Sequence, residues 1–279
     1  MSSENSVQTP GSIVSSDNSP SGCIPLIEPQ QAHIEFLESV PEISQILVRL
    51  SDVDRLLNRS QTAESYFPSG IDVITTSTVT DEYLSGLHWR DEFEMISEFA
   101  PDYHIPCDIP IYRDTDRSER RDRLRKYLNR MLAFAQESTN TSVSIIPLPK
   151  ALTREEWSVV KPAFDVLGVE FYAFYGTQYF LEGGGFRELL KDIRLGVSVM
   201  PNRDILVIGL LSPAMLRQLP PQVTAAAGLN QWRTRVHLRE ASSEVYRNRF
   251  VELQEQVNSA LGIGQAPLGM WAESSQEVA

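Results

Sequence analysis

Lysine is scarce in this chain: four residues, Lys126, Lys150, Lys161 and Lys191, stand among 25 basic side chains, the rest being arginine. Cysteine is scarcer, with only Cys23 and Cys107. One lies in a polar tail and the other beside Asp108, so no disulfide is expected; no Cys-x-x-Cys pair offers a zinc knuckle. His88, His104 and His237 are scattered, and no metal site is expected. No apolar run approaches the roughly 18 residues that span a bilayer. The opening MSSENSVQTPGS has neither a basic start nor an apolar stretch, so it does not read as a signal peptide, and a cytoplasmic location is expected. A serine nucleophile elbow, a phosphate-binding loop of the Walker kind and a dinucleotide fingerprint are all missing, so no cofactor is expected.

What is present is enough for a core: 42% of the 279 residues are hydrophobic and 22% charged. The net charge of −12 opposes general binding to a phosphate backbone, so any contact with tRNA or DNA must be local. Acidity with few lysines resembles proteins adapted to high internal salt, where surface carboxylates stay hydrated. The arginine-dense stretch Arg113–Arg130 is either a solvated helical face laced with ion pairs or such a local patch.

Residues 1–30, rich in Ser, Pro, Asn and Gln, read as a disordered leader, and 262–279 as a flexible tail in which Met270 and Trp271 are the docking candidates. Between them, 31–261, the chain alternates. Strands are expected at His33–Leu37 (or else the start of a helix), Gln45–Leu50, Ile71–Thr76, His104–Cys107, Val143–Leu148, Glu170–Tyr175, Ile205–Leu210 and Val223–Ala226. These are short, apolar, β-branched runs of the kind buried on both faces. Helices are expected at Glu82–Phe99, Ser118–Gln136, Thr153–Leu167, Phe186–Leu195, Ser212–Leu219 and Ser242–Leu261, the third opening with the capping box Thr153-Arg-Glu-Glu156. Strand–helix alternation of this length predicts an α/β fold, a single-domain (β/α)8 TIM-type barrel, with an open doubly wound sheet as the alternative.

A barrel of this type gathers its functional groups at the C-terminal ends of its strands. Those ends supply Thr75 and Thr76, then Asp108, Lys150, Gly176 and Gln178, Gly209, and the run Gly228-Leu-Asn230-Gln231. One carboxylate, one amine and two amides suit hydrogen bonding to a flat heterocycle or a sugar. Asp108, held extended between prolines, has the chemistry to accept two N–H bonds from a guanine-like edge. It is otherwise a cap or a partner for Arg113. Gly183, Gly184 and Gly185 before a helix expose backbone N–H groups, although any tight turn uses glycine. Trp232 either stacks on a base or covers the core.

At these residues the chain resembles the tRNA-guanine transglycosylase-like superfamily, barrels that exchange guanine for a deazaguanine in nucleic acid. The likeness runs from roughly Ile71 to Arg233. It rests on Pro101-Asp-Tyr-His-Ile-Pro-Cys-Asp108, on Tyr175-Gly176-Thr-Gln178, and on Ile208-Gly209-Leu-Leu-Ser-Pro213. The resemblance implies that Asp108 meets the base, with Gly176, Gln178 and Gly209 around it; Lys150, at another strand end, is expected to join them. It puts Asn230 where the family's nucleophilic aspartate would stand, and an amide is a far weaker nucleophile than a carboxylate. Asp72 or Asp81 is then a candidate replacement acid. The family's zinc subdomain and its Asp-Ser-Gly-Gly-Phe signature are missing. The expected function is a divergent, zinc-free barrel acting on or binding a guanine or 7-deazaguanine base, as a pentosyl transferase working by base exchange. A non-catalytic subunit of a homo- or hetero-dimer and an unrelated barrel lyase or hydrolase using Asp108 with Lys150 are the alternatives. No membrane partner is expected.

Overall fold

The computed structural model describes residues 13–181, 185–238 and 242–263. Eight strands each lead into at least one helix: β1 (Gly22–Pro25) to α1 (Gln31–Ser39), and β2 (Gln45–Arg49) to α2 (Leu50–Leu57) and α3 (Ala63–Tyr66). Next come β3 (Asp72–Thr76) with α4 (Asp81–Gly86) and α5 (Trp89–Phe99), β4 (Tyr103–Ile105) with α6 (Arg117–Ser138), and β5 (Ser144–Ile145) with α7 (Arg154–Val166). The last units are β6 (Phe171–Tyr175) with α8 (Thr177–Leu181) and α9 (Gly185–Val199), β7 (Asp204–Ile208) with α10 (Pro213–Leu216), and β8 (Val223–Gly228) with α11 (Asn230–Val236) and α12 (Ser243–Ala260).

All strand pairings are parallel. They form two four-stranded sheets, ordered β1-β8-β7-β6 and β2-β3-β4-β5. The fold is therefore mixed α/β with parallel sheets. Backbone contacts also link the sheets: a parallel bridge joins Leu26 to Leu47, Ile27 N donates to Leu47 O at 2.8 Å, and Ala173 N donates to Pro147 O at 2.8 Å.

The core has two parts. The larger lies between strands and helices and includes the fully buried Trp157, Trp232, Phe36 and Phe164. The smaller is drawn from alternate residues of the strands and their extensions, among them Ile24, Leu47, Ile74, Ile105, Ile146, Phe171, Leu206 and Ala225. Alternation puts one set of side chains on each face of a strand, and here both faces are apolar because both are covered.

Seven strands coincide with expected runs, differing at their ends. The first does not. His33–Leu37 belongs to α1, where His33, Phe36 and Leu37 form a buried stripe at helical spacing. The first strand is instead Gly22–Pro25, inside the stretch expected to be disordered; Ile24 and Ile27 are fully buried. Ahead of it, Val14 N donates to Ile145 O at 3.0 Å, and Ser16 donates to Glu170 through both its amide and its hydroxyl at 2.9 Å. The remainder of the leader, 1–12, and of the tail, 264–279 with Met270 and Trp271, lies outside the described residues.

The capping box of α7 forms as expected, with Glu156 N reaching Thr153 Oγ1 at 3.3 Å and Thr153 N reaching Glu156 Oε2 at 3.0 Å. Glu82–Phe99 is two helices instead of one, broken at Leu87–His88. Among the described residues no helix is long and apolar enough to cross a membrane.

Candidate functional site

The C-terminal ends of the strands surround a cavity of about 660 Å³. Of the residues expected there, Asp108, Lys150, Gln178, Gly209, Gly228, Asn230 and Gln231 line it. Gly176 and Asp72 do not. A second cavity of about 500 Å³ adjoins the first, and the two share Tyr112 and Gln178.

Asp108 and Lys150 are the centre of the arrangement. Lys150 Nζ lies 2.5 Å from Asp108 Oδ1, and the two side chains are only 7% and 8% exposed, the lower value for the aspartate. The backbone delivering Asp108 is held from behind. Its N–H donates to Ser77 Oγ at 2.9 Å, and Ser77 Oγ donates to Ile105 O at 3.0 Å. The preceding Cys107 has φ +64°, a left-handed conformation uncommon outside glycine. It is stabilised by a bond from Cys107 N to Glu92 Oε1 at 2.9 Å. The same carboxylate oxygen takes a bond from His104 Nε2 at 3.0 Å, and His104 Nδ1 meets Thr75 Oγ1 at 2.8 Å. A carboxylate only accepts, so Nε2 is the donor. Glu92, His104 and Thr75 are buried, so this network is costly to leave half-made. Burial also pushes the Cys107 thiol well above its usual range, which removes it as a nucleophile.

Lys150 is fixed as firmly. Glu156 Oε2 accepts Leu152 N at 2.8 Å and Thr153 N at 3.0 Å, which pins the loop just after the lysine. Arg113 is not the partner of Asp108; it pairs with Asp192 and reaches Glu188 at 3.8 Å. Asp192 also accepts the Tyr179 hydroxyl at 2.6 Å.

Two glycines of the site have their amides engaged by backbone carbonyls. Gly176 N is spent on Ile208 O at 2.8 Å, and Gly209 N on Ala227 O at 2.6 Å. Gly209 has φ +97°, and a Cβ there would overlap Thr177 Oγ1 and stand 2.8 Å from Thr177 N. That close approach of the chain after β6 to the end of β7 requires glycine. Gly185 starts α9, while residues 182–184, with the other two glycines of that run, lie outside the described residues.

Asp72 begins β3, so it sits at the end of the strands away from the cavity, where Gln45 Nε2 reaches its Oδ2 at 3.4 Å. Its expected place beside Asp108 is therefore corrected: a residue at the start of a strand faces the opposite rim. Asp81 does line the cavity and accepts the Tyr112 hydroxyl at 2.7 and 2.8 Å. Asn230 opens α11 and is exposed. Trp232 is core: it stacks on Phe36 at 4.8 Å and donates to Leu26 O at 3.1 Å.

Sequence reasoning misses Arg49, Tyr175 and the Glu92–His104 pair. Arg49 is the last residue of β2, hidden because the expected strand ran one residue into α2; it lines the cavity and donates to Glu28 Oε1 at 2.6 Å. The arginine-dense segment is not a free basic patch over its helical part. Arg117 and Arg121 pair with Glu155, and Arg120 with Glu156, tying α6 to α7. Among the described residues, no group of three or more His, Cys, Asp or Glu side chains is placed to hold a metal ion.

Fold and site together define a mixed α/β protein with a cavity at its strand ends, built around a buried carboxylate–amine pair. No protein-family model matches the chain, and no curated protein matches it significantly.

Proposed function

We propose that the eight strand–helix units close into one (β/α)8 barrel whose cavity binds a guanine or 7-deazaguanine base. The base would be free, in a nucleoside or in nucleic acid, as in tRNA-guanine transglycosylase-like barrels. Closure is supported by the inner apolar cluster, which draws on all eight strand units, and by the backbone bonds linking the sheets at Ile27–Leu47 and Ala173–Pro147. Base recognition is supported above all by Asp108. It is a buried carboxylate on a locked backbone, and its Oδ2 has no hydrogen-bond partner among the described residues. Gln178 and Asn230 add donors and acceptors to the same lining, and Tyr175 adds an aromatic face.

Base exchange at a pentosyl carbon needs a nucleophile. Asn230 is an amide and does not serve; among the described residues Asp81 is the carboxylate in the cavity besides Asp108 and is the acid we assign to that step. A subunit that only binds would need no such acid. Calorimetry with guanine is the test. Asp108→Ala should weaken binding by roughly 10-fold to 150-fold, as for loss of a hydrogen bond to a charged group. Equal affinity in the two proteins would remove the reading.

A further inference from the structure

Lys150 is set apart from the other lysines. Lys126 is exposed, and Lys161 and Lys191 have side chains 44% and 69% exposed, whereas Lys150 is 8% exposed and lines the main cavity. A buried ion pair adds little net stability, because desolvating two charges offsets most of their attraction. Folding alone therefore does not account for an amine in this position. Its side-chain partner is a single carboxylate, Asp108.

We propose that Lys150 is a nucleophilic amine that captures the aldehyde carbon of an open-chain sugar as an imine, with Asp108 as its proton acceptor. The activity is covalent and goes beyond base binding. In the first step a proton passes from Lys150 Nζ to Asp108. This converts a charged pair into a neutral one, a change favoured once a ligand displaces water from the cavity. The freed nitrogen lone pair forms the C–N bond, and the carbonyl π electrons move to oxygen, which takes up a proton. The carbinolamine nitrogen then passes a proton through Asp108 to the hydroxyl, which departs as water while the nitrogen lone pair closes the C=N bond. Amine and aldehyde thus give imine and water, with no change of oxidation state. Tyr175 lines the same cavity, and burial raises its phenol above the usual range. Thr78, Gln178 and Asn230 supply hydrogen-bonding groups suited to sugar hydroxyls.

The test incubates the full chain with 2-deoxyribose and sodium cyanoborohydride, then locates the reduced adduct by peptide mass spectrometry. The other three lysines serve as internal references. Adduct should accumulate at Lys150 faster than at the three exposed amines. Lys150→Arg, which keeps the charge beside Asp108 but cannot condense, should lose that adduct. Asp108→Asn should slow trapping by about 100-fold, the lower range for a general acid–base group. Labelling of Lys150 no faster than of Lys126, Lys161 and Lys191 would overturn the proposal, as would an unchanged rate in Asp108→Asn. Guanine calorimetry on the same protein is a separate readout, so base binding and imine formation stand or fall independently.

Discussion

Both ends of the strands carry carboxylates, and the two ends use them differently. At the cavity end Asp108 is buried, has an amine partner and leaves one oxygen unbonded among the described residues. At the far end Asp102 Oδ2 accepts Val73 N at 2.7 Å, and Glu170 Oε2 takes both bonds from Ser16. Those acids staple one piece of chain to another. One rim spends its charges on holding the chain together; the other turns a charge pair toward the cavity. In parallel strand–helix folds this is the usual division between stability and chemistry.

The contrast has a weak point at Glu92, whose burial serves the cavity end but whose loss would be felt by the whole fold. Glu92→Ala strands His104 Nε2 and Cys107 N, and should destabilise the protein by about 3–5 kcal/mol in chemical denaturation. Glu92→Gln keeps an oxygen acceptor and should cost about 1 kcal/mol. Equal losses would show that the bonds do not hold the Asp108 loop. Gly209→Ala tests the opposite wall. The added methyl meets Thr177 at a positive φ, so a loss of about 2–3 kcal/mol is expected, with a lower unfolding midpoint. A neutral outcome would mean that Thr177 and Gly209 do not approach so closely.

The smallest effect belongs to the far rim. The Ser16 backbone N–H holds the Glu170 carboxyl below its usual range. A depressed carboxylate contributes stability that is present above its unfolded value, near 4.5, and fades as the pH falls through the lower folded value. Glu170→Gln should therefore be less stable than the parent at pH 7, and the gap should close on acidification, as followed by thermal unfolding. Guanine binding should not change. A pH-independent gap, or altered guanine affinity, would blur the distinction between the two rims.

Much of this architecture is legible in the sequence because strands covered on both faces are uninterrupted apolar runs, as in Phe171–Tyr175 and Ile205–Ile208. The first strand is not legible. It has four residues, opens on a glycine with φ +74°, ends on a proline and follows the polar run 15–21, so its strand character comes from pairing with β8. Asp108 and Lys150 are found by looking just past the C-terminal end of each apolar run. The same rule, applied to strand direction, rejects Asp72, which stands at the start of its strand. Glu92 escapes because it lies on α5, and its contacts with His104 and Cys107 exist only once α5 packs against β4.

The ladder between β1 and β8 also dictates an order of assembly. Among the described residues the strand earliest in sequence pairs, from Gly22 with Ala225 to Pro25 with Gly228, with the strand latest in sequence. The β2–β5 sheet has only neighbours in sequence and can zip up while synthesis continues, whereas its counterpart is completed only after β8 has been made. Until then the segment around Ile24 is an unpaired apolar edge, and that interval is when a nascent chain is most exposed to aggregation.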